Sequence, residues 1–206
     1  MHTGTRTSTP EMPLPPSTSR EPLTSRAITC DGFVRDDGLI DIDGRLVDVR
    51  AYDMDSAWRG KVLKGEPAHE MWVRLTVDDD LVIREVACST DAAPYPSCRA
   101  VPPHLSRLVG LGITGGFKKE VRQRIGGTAG CTHILALIEV MSSVAVHALA
   151  GKRRGHGRDV MLGTYGTRDD GRHPLVGTCL SYAEDSEVVQ RLWPESYRAG
   201  AKKPGD

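Results

Sequence analysis

The sequence predicts an α+β fold, in which an antiparallel sheet (a meander plus a hairpin) forms first and helices pack on it afterwards. Three observations carry this prediction. Short runs with period-two alternation fill residues 27–88, as half-buried strands require. Asp-Gly punctuation separates the first of these runs. Beyond Ser89 the apolar residues switch to helical spacing, so strands come first and helices second.

Taken in order, residues 1–26 hold Pro10, Pro13, Pro15, Pro16 and Pro22 among many Ser and Thr. With little to bury, they are expected to form a disordered arm. Residues 27–195 are expected to form a single α+β domain and 196–206 a flexible tail. A chain of 206 residues is long enough for one domain with a real core. Ala27–Val34, Leu39–Ile42 and Arg45–Tyr52 read as a three-stranded meander. Its turns fall at Asp36-Asp37-Gly38 and Asp43-Gly44, because Asp-Gly supplies the positive φ that tight hairpins need. Asp53–Pro67 reads as a connecting loop. Met71–Val77 and Leu81–Cys88 form the hairpin, closed by Asp78-Asp79-Asp80. A proline-stiffened loop leads to helices over Pro103–Val109, Gly116–Ile125 and Thr132–Ala150. The last is apolar on most sides and is expected to be the buried central helix. Ala183–Trp193 is a final amphipathic stretch, stopped by Pro194.

Composition excludes several function classes. Lys+Arg and Asp+Glu balance at 27 each, which leaves no global field to attract nucleic acid or an anionic membrane. The short basic run Lys152-Arg153-Arg154 with Arg158 has no interleaved aromatics and reads as a solvated loop. Five widely spaced cysteines without a C-x-x-C make a poor disulfide framework. With no apolar leader sequence, the expected compartment is the cytoplasm. The apolar stretch Ile134–Leu149 reads as too short to span a bilayer.

The element that points to chemistry is Gly130-Cys131-Thr132-His133, just before the long apolar helix. A helix N-terminus favours a thiolate, and His133 follows two residues on. Positions i and i+2 do not share a helical face, so the two can converge only with Cys131 outside the helix. Cys98 follows the stiff Pro94-Tyr95-Pro96 segment, Asp91 opens the same loop, and His69 precedes a strand. Two thiolates and two imidazoles suit tetrahedral Zn²⁺ or an iron site. The candidate ligands are therefore His69, Cys98, Cys131 and His133, and the candidate catalytic groups are Cys131, His133 and Asp91. Cys30 and Cys88, within strands, read as core packing.

Several segments resemble a bacterial family known only as a domain of unknown function. They are Arg35-Asp36-Asp37-Gly38-Leu39, Asp41-Ile42-Asp43-Gly44, His69-Glu70-Met71-Trp72, Leu75-Thr76-Val77-Asp78, Asp91-Ala92-Ala93-Pro94-Tyr95, Gly130-Cys131-Thr132-His133 and Arg191-Leu192-Trp193-Pro194. The Gly-Cys-Thr-His element is the most specific of them. Where that family often has Cys-His, this chain has Cys179-Leu180. The resemblance implies a protein partner in a catabolic system for aromatic or steroid compounds. A more distant resemblance is to NifU-type iron–sulfur cluster scaffold proteins, whose ligands come before a strand, in a loop after a hairpin and at the start of the final helix. His69, Cys98 and the Cys131/His133 pair occupy these three places, although the pair is reversed and split by Thr132. This resemblance implies a scaffold-like fold and an iron or iron–sulfur site.

The sequence thus leads to a cytoplasmic metal-binding protein, with zinc or iron (or an iron–sulfur cluster) and an accessory or carrier role. It binds neither nucleic acid nor membrane in this reading. The alternative is a metal- or cysteine-dependent hydrolase or lyase acting on a small organic substrate.

Overall fold

The computed structural model describes residues 14–153, 170–173 and 175–200. Residues 1–13 of the expected arm, 201–206 of the expected tail, and Arg154 and Arg158 of the basic run lie outside the described residues. Four long strands form one antiparallel sheet in the order β1-β2-β5-β6: β1 Thr24–Val34, β2 Ile40–Arg50, β5 Pro67–Val77 and β6 Ile83–Ala92. A small hairpin, β3 Met54–Ser56 with β4 Gly60–Val62, occupies the segment expected to be a loop. Short 3-10 helices cover Pro96–Ala100 and Pro102–Leu108. Helices α1 (Phe117–Ile125) and α2 (Thr132–Lys152) follow. The fold is α+β, with the sheet built first and the helices laid on it.

Alternation along the strands sorts the sheet into two faces. The inner face presents Ile40, Ile42, Leu46, Met71, Val73, Leu75, Val77 and Ile83. These pack in one core with Ile134, Leu137, Ile138, Met141, Ala145 and Leu149 of α2. Helix α1 adds Phe117, Val121 and Ile125. The outer face is laced by cross-strand ion pairs instead. Arg74 forks onto both carboxylate oxygens of Asp43 at 2.6 Å, and Arg45 pairs with Glu70 while lying over the Trp72 ring. Such pairs satisfy a wet face and need no helix over it.

Asp43-Gly44 is not a turn. Strand β2 runs unbroken through both residues, and the meander's first turn is the one at Gly38, with φ +86°. Gly44 has another reason to be glycine. A Cβ built there would meet Met141 Sδ at 2.6 Å and Leu137 Cδ1 at 3.0 Å. At Gly32 it would meet Ala148 Cβ at 2.7 Å. Helix α2 therefore seats almost on the sheet backbone along a Gly32–Gly44 track. Strand β1 also begins at Thr24 and takes in three residues of the expected arm, because residues 24–26 pair with 48–50.

Helix α2 is longer than the apolar run from which it was read. At 21 residues it is long and apolar enough, by length and composition alone, to cross a membrane. In this fold it lies against the sheet, with its core-facing side chains buried. The C-terminal residues form a satellite: α3 (Glu187–Leu192), Val176, Val189 and Trp193 bury against one another apart from the main core.

Gly32→Ala tests the close seating of α2. Ala148 Cβ has no rotamer with which to retreat, so the substitution is expected to destabilise the fold by about 1–3 kcal/mol. Chemical denaturation measures this, and an unchanged midpoint would mean that the helix sits higher than described.

Candidate metal centre

Three strands and one helix start converge at the end of the sheet where β2 finishes and β5 begins. In register, Arg26 of β1 lies opposite Asp48 of β2, and Asp48 lies opposite His69 of β5. This row crosses the inner face just before a register shift at Asp48/Val49. Arg26 donates from Nε to Asp48 Oδ1 at 2.7 Å and from Nη2 to Oδ2 at 2.8 Å. The result is a bidentate fork that fixes the carboxylate plane. His69 Nδ1 stands 3.1 Å from the same Oδ2. From above, His133 brings Nε2 to 3.4 Å from Oδ2. The two imidazoles stack with ring centroids 3.9 Å apart.

The chain reversal before α2 delivers His133. A Cβ at Gly126 would stand 2.2 Å from the Arg122 carbonyl oxygen, and one at Gly130 would stand 2.0 Å from that of Ile125. Only glycine lets the chain turn this tightly after α1. His104 braces the turn, with Nδ1 donating to the Ala129 carbonyl at 2.8 Å. Cys131 then adopts an extended N-cap conformation, φ −122° and ψ 130°, and places Sγ 3.7 Å from His133 Nδ1. The thiol thus sits on the ring nitrogen opposite the one that faces Asp48.

Electrostatics prepare the cluster for a cation. The Arg26 hydrogen bonds hold the Asp48 carboxyl below its ordinary range, so it is ionised at neutral pH. Burial pushes the His69 imidazole down against the opposing pull of Asp48. Burial, then His69 and Arg26, lower that of His133. Both rings are therefore neutral near pH 7 and offer lone pairs. Asp48, His69 and His133 each supply one ligand atom, and all three atoms lie within 4.8 Å of one another. Ligand atoms about 2.1 Å from a tetrahedral ion stand about 3.4 Å apart, which the 3.1 and 3.4 Å separations match. Two His and one carboxylate is a donor set used by mononuclear zinc and non-haem iron, with further coordination positions open. Side-chain exposures of 13% for Asp48, 17% for His69 and 21% for His133 leave the cluster reachable from solvent.

Of the residues singled out from the sequence, His69 and His133 come together here and Cys131 touches His133 from behind. Cys98 lies in the Pro96–Ala100 turn, and Asp91, exposed at the end of β6, accepts from Ser89 Oγ. Among the described residues, the one group of three potential ligands contains neither of them. Cys30 and Cys88 pack against the core, and burial lifts the Cys88 thiol to about 11. Asp48 and Arg26 escaped the sequence reading. The sequence sets no motif around Asp48, and in the fold it shares the inward face of β2 with Leu46 while Val47 and Val49 lie on the other. Arg26 falls in the segment expected to be the arm and lies in β1 instead. A separate cavity of about 1380 Å³ opens by Asp79, Phe117 and Leu149 towards the other end of the sheet, and among the described residues its lining contains no His or Cys.

The sequence model of one family, described as "Protein of unknown function (DUF2889)", matches residues 24–147. That is more than half of the chain. The chain belongs to this family. No curated protein and no solved structure matches it. The DUF2889 region opens on the first residue of β1 and closes within α2. It therefore contains all of Arg26, Asp48, His69 and His133, while the C-terminal satellite falls outside it.

The histidine shifts set a pH dependence for the metal-free protein. Both folded-state values lie below the ordinary 6.5, so below that pH the unfolded chain binds more protons and stability falls. Asp48 adds a second loss at lower pH, as its depressed carboxyl is protonated. Urea midpoints in the presence of chelator are expected to drop between about pH 7 and about pH 5. A His69→Gln/His133→Gln protein should show a flatter profile, and an identical slope would remove the histidines from the explanation.

Proposed function

We propose that the protein is a metal-binding protein whose centre is one divalent transition ion, zinc or iron, held by Asp48, His69 and His133. The carrying observation is the convergence of an ionised carboxylate and two neutral imidazoles, with ligand atoms within 4.8 Å. Arg26 orients Asp48, and Cys131 receives the second ring nitrogen of His133. Such supporting contacts around metal ligands fix ring orientation and tautomer. The donor set favours a mononuclear ion over an iron–sulfur cluster, because clusters are held chiefly by thiolates and no thiol belongs to the group. The scaffold-like reading built on Cys98 thus has less support than a mononuclear site, and the Gly-Cys-Thr-His element serves to deliver His133 and its thiol partner.

A centre with open positions can polarise a bound oxygen or lower the pKa of a bound water. This supports metal-dependent hydrolase or lyase chemistry on a small organic substrate at least as well as a passive carrier role in a catabolic system. A metal-free reading rests on one contact, the 3.7 Å between Cys131 Sγ and His133 Nδ1. There Cys131 is the nucleophile and His133 its base.

Elemental analysis of protein purified without chelator should find close to one equivalent of zinc or iron. Asp48→Asn and His133→Gln should each lower metal affinity by about tenfold to a hundredfold or more, the range for outer-shell losses being a lower bound. Cys98→Ser should retain full metal content. Metal-free parent protein together with rapid alkylation of Cys131 would favour the nucleophile instead.

A further inference from the structure

The charges around the cluster do not balance, and the imbalance indicates what the open positions accept. Arg50 lies two residues beyond Asp48 on β2, where the β1–β2 register is still regular up to Thr24↔Arg50. The two side chains therefore leave the same face of the strand. Arg50 Nη1 donates to Tyr52 Oη at 3.1 Å, and the guanidinium sits 5.8 Å from that ring's centroid. Neighbouring carboxylates have other partners: Asp53 with Lys61 and the Lys64 amide, Glu66 with the Leu63 amide, Glu70 with Arg45, and Asp91 with the Ser89 hydroxyl. Arg26 spends Nε and Nη2 on Asp48, and its side chain remains 45% exposed. The first turn of the 21-residue helix α2 adds its positive end.

With a divalent ion bound, that ion, the Arg26 fork on Asp48 and Arg50 on the same strand face would outnumber the one carboxylate of the cluster. We propose that the open coordination positions take a small oxyanion, one oxygen of a carboxylate or phosphate on the metal and a second on Arg50. This rests on the metal-centre reading above and adds the class of molecule the centre receives. Guanidinium suits either anion because its planar fork matches both. A neutral amide or alcohol leaves Arg50 without its charge partner.

The test uses the full chain loaded with one equivalent of cobalt(II), whose visible absorption reports coordination. Cobalt content is measured separately by mass spectrometry. Titration with inorganic phosphate and with acetate is expected to change the spectrum saturably for at least one of them, while acetamide leaves it unchanged. The anion with the lower Kd names the class. Arg50→Gln is expected to keep its cobalt and lose about tenfold in anion affinity, and Arg50→Lys to recover part of that loss. An equal response to acetamide, or full anion affinity in a folded Arg50→Gln protein, overturns the proposal and leaves the metal reading standing. Failure of the parent to hold cobalt overturns both. The acetate–acetamide comparison on the parent needs no variant, so a poorly folding substitution does not shield the proposal.

Discussion

The seating of α2 on the sheet is the constraint on which the rest of the structure depends. Interhelical and helix–sheet distances are normally set by side chains at the contact, and here glycine removes them at Gly32 and Gly44. The helix descends until Met141 and Ala148 touch backbone. Its first turn then reaches the sheet end low enough for His133 to stack on His69. Its far end is held as well, by Lys152 Nζ on the Gly38 carbonyl and on Asp79. A helix of this length spans about 30 Å, so anchoring both ends leaves little freedom to slide or pivot. The candidate ligands sit on strands and on a helix rather than on loops, and rigid elements hold such geometry best.

Asp48 is the one carboxylate on the buried face of β2, and its presence there carries a cost. A charge buried to this degree is stable only when paired and hydrogen-bonded. Arg26 answers with two bonds and stays partly in solvent, which limits its own desolvation. The pair alone would be a weak source of stability, since desolvation offsets much of the attraction. An apolar residue at position 48 would continue the row of Ile40, Ile42 and Leu46 more simply. The fold instead places a carboxylate, a fork that orients it and two depressed imidazoles within a few ångströms. Perturbed titratable groups concentrated in one spot are a mark of function, and structural economy does not account for them.

How much of this was legible in the sequence differs between elements for physical reasons. The order of sheet then helices was readable because strand and helix periods are distinct, and α2 was evident from its apolar length. Gly130-Cys131-Thr132-His133 stood out because a glycine before a helix start and two metal-competent side chains are local signals. His69 was suggested by its place at a strand mouth. Asp43-Gly44 misled, since the same dipeptide that makes a hairpin turn also serves where a helix crosses close to a strand, and only tertiary contact separates the two uses. Asp48 has no motif around it in the sequence, and only the fold places it on the inward face of β2 with Leu46. Cys98 drew attention through its stiff surroundings, a property of the chain and not of any partner brought near it.

The placement of Cys131 shows how the fold can set two neighbouring side chains of a short motif in different positions around one ring. In sequence, a thiol two residues from an imidazole invites a shared metal. In the fold, the N-cap conformation sends Sγ to Nδ1 while Nε2 points at Asp48, so the ring stands between the thiol and the carboxylate. An imidazole has two nitrogens on opposite edges, and a contact at one orients the lone pair at the other. In the proposed centre Cys131 contacts His133, as Arg26 contacts Asp48. One supports the helix side of the cluster and the other the sheet side, and the three ligand atoms are left facing the space between them.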